Sequence, residues 1–510
     1  MATITVFDGA ATIGGNKIYL EEKGDGLFLD FGTNFAKYNM YFQEFLSERD
    51  ARGIHDLVQL GMIPRLDIYR GDLITSDLDT SGFKKISPRA VLLSHAHLDH
   101  CGNIDLLDLS IPIVASAITA AILKALCDLK QSNVAYTSLR GASERFGRLV
   151  LPSDRAAPYV GRGFYCAGNH RGIIELMGNR PSSEKSRKPF KPGPLGGIGD
   201  ARIGWEVEPH PVDHSIYGAM AYIVRGDTAI AYTGDLRLSG RNRRQTEGFI
   251  KAAKGAPILI CEGTRVGRES DFNVTEDEVF RNCHAAAEES TKLTIADFSA
   301  KNFERLEMFH EIARRLGKQL VITAKDAYLL DAISCADGKD RLKSGGMLIY
   351  RELTATERQW ETMKEDAWSE KYVDHASISR DPEGYILCFS FFDMKHLLDI
   401  KPNGGTYIYS SSEAFSEEQE IDFRRLKAWL DHFGMDIRGF RMVGSDPRAA
   451  KPEFEKGFHA SGHLSAEELE EMILSIDPDL LIPVHTEDPH WFEKLGRKVL
   501  IPEEGKKHEL

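Results

Sequence analysis

A dense group of metal-binding residue types follows a short apolar run near residue 90. The run 90–93 (Ala-Val-Leu-Leu) predicts a strand, and just after it stand His95, His97, Asp99 and His100. A turn at the end of that strand would bring the four side chains together at one edge of a sheet. Neutral imidazole with carboxylate suits zinc and, less specifically, manganese or iron. The cluster therefore predicts a metal site, and an incidental polar turn is the weaker alternative.

Single polar residues next to three later strands supply further candidate ligands. Asp235 and His485 each close an apolar run, and His214 stands just before another predicted strand. His210, four residues earlier, competes with His214 for the same role. Each residue alone has a structural alternative, such as a hydrogen-bonded histidine at a strand end. Together they predict that ligands from distant parts of the chain join the first cluster at a sheet edge.

Size and charge restrict the class of protein. A chain of 510 residues can form two domains with large cores, and its 42% hydrophobic and 28% charged residues are typical of a globular protein. The net charge of −13 requires that any polyanion site be a local basic cleft. Seven dispersed cysteines without a C-x-x-C pair, and the lack of a signal-peptide pattern or a long apolar run, favour a cytoplasmic protein outside the membrane.

The pattern of predicted elements changes near residue 265. Before it, predicted strands are mixed with two helices and a polar Pro/Gly-rich loop: strands 3–7, 17–20, 27–30, 204–207, 219–224, 229–233 and 258–261, helices 36–60 and 115–129, and loop 180–200. From 265 to 440, helices alternate with strands: helices 276–288, 303–316 and 417–433, and strands 293–296, 319–323, 385–389 and 406–409. This alternation predicts an α/β domain with a parallel sheet. The tail, 465–510, adds a helix and the strand 480–484.

The ordered set of motifs resembles the metallo-β-lactamase fold and, more narrowly, its β-CASP nuclease branch, which includes RNase J. The motifs of the fold are matched by Asp30 in Leu-Asp-Phe-Gly, His95, His97, Asp99, His100, His214, Asp235 and His485. The β-CASP branch adds an acidic residue and a histidine, matched by Glu262 in Cys-Glu-Gly-Thr and His463 in Ser-Gly-His. The segment 296–302 is also similar to a Phe-Ala-Ser-Asn element of RNase J-like members.

The resemblance implies an αββα metallo-β-lactamase sandwich, built from residues 1–264 and 441–510, with an α/β β-CASP domain inserted at 265–440. It implies two divalent metal ions, zinc or else manganese. One would bind His95, His97 and His214, the second Asp99, His100 and His485. Asp235 would bridge the two ions, and Asp30 would orient ligand histidines.

The implied activity is metal-dependent hydrolysis of a phosphodiester in single-stranded RNA, exonucleolytic, endonucleolytic or both. Asp99, Glu262 and His463 are the catalytic candidates, with His463 giving a proton to the departing ribose oxygen. The turn at Ser461 and Gly462 could hold a phosphate through its backbone amides.

Two basic segments are candidates for contact with RNA phosphates. The first follows the bridging aspartate and comprises Arg237, Arg241, Arg243 and Arg244. The second lies in the Pro/Gly-rich loop and comprises Lys185, Arg187, Lys188 and Lys191. Solvated surface charge is the alternative for both.

Other functions stay open at this stage. A DNA nuclease would use the same chemistry, although RNA is the favoured partner. A small-molecule hydrolase such as a lactonase or thioesterase fits the first domain but leaves Glu262 and His463 unexplained. An inactive scaffold subunit is the non-enzyme alternative, and whether the chain forms a homodimer is also open.

Overall fold

The computed structural model describes residues 2–43, 45–143, 147–154, 157–182, 188–267, 274–356, 358–411, 423–444, 446 and 450–510. Two of the predicted phosphate contacts, Lys185 and Arg187, lie outside the described residues, as does the start of the predicted helix 417–433.

The described strands, in chain order, are β1 (Thr3–Asp8), β2 (Lys17–Glu22), β3 (Asp25–Leu29), β4 (Pro88–Leu92), β5 (Ile113–Ser116), β6 (Tyr136–Ser138), β7 (Tyr159–Gly161), β8 (Phe164–Ala167), β9 (Phe190–Lys191), β10 (Leu195–Gly197), β11 (Glu206–Pro211), β12 (Met220–Arg225), β13 (Ala229–Tyr232), β14 (Ile258–Glu262), β15 (Leu293–Asp297), β16 (Gln319–Ile322), β17 (Met347–Tyr350), β18 (Tyr372–Val373), β19 (Tyr385–Cys388), β20 (Gly405–Tyr409), β21 (Met435–Arg438), β22 (Phe440–Val443), β23 (Lys451–Phe454), β24 (Leu480–Val484), β25 (Lys498–Val499) and β26 (Lys507–Glu509).

The described α-helices are α1 (Phe35–Tyr41), α2 (His55–Gln59), α3 (Leu98–Cys101), α4 (Ala117–Asp128), α5 (Ile174–Gly178), α6 (Arg243–Ala252), α7 (Glu276–Glu289), α8 (Phe303–Arg315), α9 (Ala324–Asp337), α10 (Gln359–Thr362), α11 (Glu365–Trp368), α12 (His375–Arg380), α13 (Leu397–Ile400), α14 (Phe423–His432) and α15 (Ala466–Ile476). None of these helices has the length and apolar character needed to cross a membrane.

Two sheets stack face to face and are built from both ends of the chain. The first has the order β10-β8-β5-β4-β3-β2-β1-β26, and the second has the order β11-β12-β13-β14-β24-β25. One apolar core contains side chains from both, such as Leu29 and Leu92 of the first sheet and Tyr232 and Ile482 of the second. Alternate side chains of each strand point to this shared core because a strand presents successive residues to opposite faces.

Helices cover the outer faces of both sheets. α6 and α15 pack on the second sheet through Phe249 and Ile473. α4 packs on the first sheet, and Ala-, Ile- and Leu-rich α4 is buried along almost its whole length. Helix, sheet, sheet and helix therefore make four layers, which confirms the predicted αββα sandwich.

The strands between residues 265 and 440 form a third sheet. Its order is β18-β17-β16-β19-β15-β20-β21, and every neighbouring pair of strands is parallel. The chain then returns to the sandwich, because β24 pairs with β14 and β26 pairs with β1. The predicted parallel α/β unit is therefore present in addition to the sandwich. The exact boundaries at 264 and 440 stay predictions.

Three local predictions are wrong in detail. The helix over 36–60 is two short helices, α1 and α2, and the intervening chain leaves apolar residues such as Phe45 exposed instead of on a buried stripe. The strand predicted at 204–207 begins at Glu206 and runs to Pro211, since β11 is an edge strand, where proline is tolerated. The loop 180–200 contains the short strands β9 and β10.

Candidate metal centre

Strand ends place the candidate ligands around one point. Asp30 directly follows β3, and His485 directly follows β24. Both residues have left-handed backbone, with φ of 59° and 52°, which non-glycine residues rarely adopt. Gly234 precedes Asp235 at φ 54°, and a Cβ at Gly234 would lie 2.7 Å from the Cβ of Ser94. The backbone is therefore bent and closely packed where it presents these side chains.

Three imidazoles form the first group of donor atoms. His95 Nε2 lies 2.9 Å from His97 Nδ1, and His214 Nε2 lies 3.2 Å from the same His97 nitrogen. All three side chains are buried. Nitrogen ligands at about 2.0–2.1 Å from a tetrahedral zinc ion are separated by about 3.4 Å. The spacing of these nitrogens is close to that value, so the group fits a divalent metal ion.

The second group combines two histidines with two carboxylates: Asp99, His100, Asp235 and His485. Asp99 Oδ2 lies 3.2 Å from His485 Nε2 and 3.6 Å from His100 Nε2. Asp235 Oδ2 lies 3.0 Å from His100 Nε2 and 3.8 Å from His485 Nε2. This mixture of imidazole and carboxylate is a typical donor set for zinc or manganese.

Asp235 lies between the two groups. Its Oδ2 atom is also 3.8 Å from His95 Nε2, so one carboxylate faces a histidine of each group. His100 Nε2 and Asp235 Oδ2 form a close ion pair at 3.0 Å, but within the described part of the chain neither of these atoms, nor Asp235 Oδ1, makes a hydrogen bond of good geometry. Buried polar atoms without partners are costly, and bound cations would satisfy them. The donor set therefore fits divalent metal ions.

Asp30 orients one histidine of each group. His100 Nδ1 donates to Asp30 Oδ2 at 2.8 Å. Ser94 Oγ also donates to Asp30 Oδ2 at 2.8 Å, and it lies 2.9 Å from His95 Nδ1, from which it can accept. Tyr232 donates its hydroxyl to the same carboxylate at 2.5 Å. These contacts hold the Nδ1 sides of both rings, so Nε2 of each ring faces the centre.

Glu262 supports two further histidines, His463 and His485, in the way that Asp30 supports His100 and His95. His463 Nδ1 donates to Glu262 Oε2 at 2.9 Å. The hydroxyl of Thr264 donates to Glu262 Oε2 and lies 2.9 Å from His485 Nδ1. One carboxylate thus holds one histidine directly and a second through a hydroxyl, as Asp30 does.

Burial and neighbouring charge shift the pKa values strongly. Burial holds the pKa of His95 and of His97 well below the ordinary value, and it lowers the pKa of His214 to about 4. Burial would raise the pKa of Asp235, but His100 and His485 hold it well below its usual range. Burial would lower the pKa of His100, but Asp235, Asp99 and Asp30 raise it well above the ordinary value. Neutral imidazoles and ionised carboxylates are the forms that bind metal ions, so His100 would release a proton when a metal ion binds.

Comparison with known proteins agrees with this geometry. The model of the metallo-beta-lactamase superfamily matches residues 69–259, which include the first histidine cluster, His214 and Asp235. The chain carries a metallo-beta-lactamase superfamily domain. A protein of unknown function from Enterococcus faecalis V583, known from a crystal structure, is 24% identical with a TM-score of 0.66, and the match covers 100% of both chains. That likeness extends the shared fold over the whole chain.

His463 lies at the edge of the metallo-beta-lactamase site. Its Nδ1 atom is 3.9 Å from Asp235 Oδ2, and His463 forms a third group of close donor atoms with His214 and Asp235. Because Glu262 holds Nδ1, the ring would act through Nε2. The carbonyl oxygen of Gly462 accepts from His214 Nδ1 at 2.6 Å, so the same turn also supports a candidate ligand.

The structure corrects the expectation for Arg237. This side chain is buried, and its guanidinium pairs with Glu276 and Glu304 at 2.9 Å and with Asp213 at 3.4 Å. These carboxylates occupy the positions that an RNA phosphate would need. Arg241 is partly exposed, and its predicted contact with phosphate stays a prediction.

The other candidates divide between the site and the scaffold. His214, and not His210, joins the metal-binding group, since His210 Nε2 lies 3.1 Å from Glu208 on the edge strand β11. Ser461 Oγ accepts from the backbone N–H of His463 at 3.1 Å and so shapes the turn. The phosphate-binding role of Ser461 and Gly462 stays a prediction.

Three supporting residues are not predicted from the sequence: Ser94, Tyr232 and Thr264. Each provides a hydroxyl to a buried carboxylate of the metallo-beta-lactamase site. Ser94 precedes His95, and Thr264 lies two residues after Glu262, so closeness in sequence to predicted site residues could have identified both. Tyr232 lies in an apolar strand, and its sequence position gives no indication of a role in the site.

Proposed function

We propose that this chain is a metal-dependent nuclease of the β-CASP branch that hydrolyses single-stranded RNA. The metallo-beta-lactamase site supplies the hydrolytic centre. The third sheet and the turn that carries His463 supply the parts that a small-molecule hydrolase of this fold does not need.

The pairing of His463 with Glu262 carries the proposal. Both residues are buried at the edge of the cluster, and their side chains are 2.9 Å apart. Burial raises the pKa of Glu262, but His463 holds it below its usual value, so the carboxylate stays ionised beside the ring. An ionised carboxylate at Nδ1 stabilises the protonated imidazole, which is the form that gives up a proton.

The reaction consumes one water molecule and cleaves one phosphorus–oxygen bond. Divalent ions at the cluster would activate water and neutralise charge on the phosphoryl oxygens. The Asp99 carboxylate accepts a proton from the attacking water molecule as the water oxygen bonds to phosphorus. His463 Nε2 gives its proton to the ribose oxygen as the bond from that oxygen to phosphorus breaks. The products are a phosphate monoester and a free hydroxyl group.

Exposed arginines on α6 and just before it support a nucleic-acid substrate, RNA or DNA. Arg241 precedes α6, and Arg243 and Arg244 begin it, all with exposed side chains. Such cations pair with backbone phosphates and make binding sensitive to salt.

The test is cleavage of RNAs labelled at either end and carrying a 5′ hydroxyl, monophosphate or triphosphate, beside DNA of the same sequence. Bound metal is measured on the same preparation. We expect RNA to be cleaved, and the labelled ends report whether cleavage begins at a terminus or within the chain. Cleavage of DNA alone would replace RNA with DNA as the substrate.

Variants connect the activity with the site. Asp99→Asn and His100→Ala should reduce cleavage by a factor of about 10³ or more. His210→Gln is the matched control, because it changes a nearby histidine outside the cluster. Undiminished cleavage by the first two variants, or no cleavage of any nucleic acid by the metal-loaded chain, would overturn the proposal.

A further inference from the structure

A buried network of charged side chains links the metal-site loops to the third sheet. Its members come from both parts of the chain and are nearly inaccessible to solvent: Asp213, Arg237, Glu276, Glu304 and Arg305. Glu276, the first residue of α7, lies at the centre. Its Oε1 atom accepts from Arg237 Nη1 at 2.9 Å and from Arg305 Nη2 at 2.9 Å. Two guanidinium groups thus share one carboxylate.

Arg237 contacts the segment 458–463 directly, and Arg305 reaches it through Ser410; we call this segment the His463 segment. Arg237 Nη1 lies 3.5 Å from the carbonyl oxygen of Ser461, to which it donates. Arg305 Nη1 donates to the carbonyl oxygen and the hydroxyl of Ser410, directly after β20.

The hydroxyl of Ser410 continues the chain of contacts. Ser410 Oγ donates to the carbonyl oxygen of Phe458 at 2.8 Å. His459 Nδ1 lies 2.7 Å from the carbonyl oxygen of Ser411, to which it can donate. The start of the His463 segment is therefore fixed to the carboxyl end of β20, and its later part is held by Arg237.

We propose that Glu276 is a positioning residue for His463, acting through Arg237 and Arg305 on the His463 segment. The inference rests on the proposed function, since it assigns the third sheet a part in the proton transfer by His463. The carboxylate of Glu276 accepts from Arg237 and Arg305, so we expect its effect to pass through these two arginines. Proton transfer requires a donor within hydrogen-bond reach of the departing oxygen, and a small displacement of the turn would slow it.

The test compares two substrates that differ in their need for a proton donor. RNA has a ribose leaving group, which needs protonation, whereas bis(p-nitrophenyl) phosphate has a leaving group that departs as the anion. His463→Ala calibrates the method and should lower the ratio of RNA to aryl-diester hydrolysis about 10²-fold. For Glu276→Gln we expect the ratio to fall about 10-fold or more, with bound metal as in the wild type.

A second, smaller substitution keeps the test valid if Glu276→Gln fails to fold. Ser410→Ala removes one hydroxyl and its contact with the His463 segment, and it leaves both arginines paired with Glu276. We expect it to lower the same ratio, by a smaller factor than Glu276→Gln.

Asp128→Asn is the matched control. Asp128 is also a buried carboxylate between the two parts of the chain, accepting from Lys124 of α4 at 2.6 Å and from Tyr328 of α9 at 2.9 Å. Its contacts run to Lys124, Tyr136 and Tyr328, so its loss should move both rates together and leave the ratio unchanged.

The outcomes separate this inference from the proposed function. A wild-type protein that hydrolyses neither substrate overturns both. If the wild type hydrolyses both and His463→Ala lowers the ratio, then an unchanged ratio in Glu276→Gln and Ser410→Ala overturns only the positioning role. A fall of the ratio in Asp128→Asn as large as in Glu276→Gln also overturns it.

Discussion

Asp30 Oδ2 lies 2.8 Å from His100 Nδ1, and this buried pair sets the orientation of the ring that faces Asp235. The same carboxylate holds His95 through the hydroxyl of Ser94. One side chain without a direct place in either donor group therefore supports a histidine in each of them. Such supporting contacts fix which nitrogen faces a metal ion.

Replacing this carboxylate should weaken metal binding in both groups. In Asp30→Asn the amide cannot accept from His100, Ser94 and Tyr232 as the carboxylate does, so both rings lose their fixed orientation. We expect affinity for zinc to fall about 10- to 100-fold, measured by competition with a chromophoric chelator. Asp79→Asn, on the exposed surface, is the control, and an equal affinity in both variants would contradict the role of Asp30.

Thr264 offers a sharper comparison, because serine keeps its hydroxyl and valine keeps its shape. Thr264→Val removes the link between His485 and Glu262, so the second donor group should lose metal affinity while the first keeps it. Thr264→Ser should behave like the wild type. Metal bound per chain after dialysis against dilute chelator is the measurement, and the idea fails if valine and serine variants retain the same amount.

Metal removal should destabilise the chain through the same residues. Among the described residues, the buried oxygens of Asp235 make no hydrogen bond of good geometry, although His100 Nε2 lies 3.0 Å from Oδ2. We expect chelation to lower the Tm and added zinc to restore it, since a ligand that binds only the folded state stabilises it. His95→Ala should lose most of this zinc-dependent shift in Tm, whereas His210→Gln should keep it. Equal shifts in both variants would place the metal elsewhere.

The local cluster was predictable from sequence because its residues are neighbours in the chain. Asp99 and His100 follow a strand so closely that their meeting at a sheet edge is nearly forced. Joining them to His485 required the order of motifs in a known family, since no periodicity connects residues almost four hundred positions apart. The structure brings these residues together, and their individual roles stay predictions.

Other features depend on tertiary contacts that a sequence pattern does not contain. Arg237 follows Asp235 closely and therefore looked like a phosphate contact, but three carboxylates from distant segments surround it. The mixed spacing of apolar residues in 36–60 is typical of a helix, yet Phe45 is exposed between the two short helices α1 and α2. In both cases the outcome was decided by what packs nearby, which local sequence cannot specify.

A buried acid of the third sheet should make stability depend on pH. Burial raises the pKa of Asp297 to about 7, and its carboxylate accepts from the hydroxyl of Tyr407. The unfolded chain has an ordinary pKa near 3.9 at this residue, so between about pH 4 and pH 7 only the folded state holds the proton. The free energy of unfolding therefore falls as pH rises through this window, by about 1.4 kcal/mol per pH unit at most.

Asp297→Asn removes this titration and keeps the shape of the protonated acid. Relative to the wild type, the variant should gain on the order of 2 kcal/mol between pH 5 and pH 8. Urea unfolding at the two pH values, on protein with the same metal content, measures the change. Asp79→Asn should follow the wild type, and parallel curves for Asp297→Asn would contradict the buried protonated acid.

Anomalous X-ray diffraction at the absorption edge of the metal found in the purified protein tests the central claim most directly. We expect two strong peaks, one among His95, His97 and His214 and one among Asp99, His100 and His485, with Asp235 reaching both. Side chains of the two groups pointing apart, or a metal bound only outside them, would contradict it.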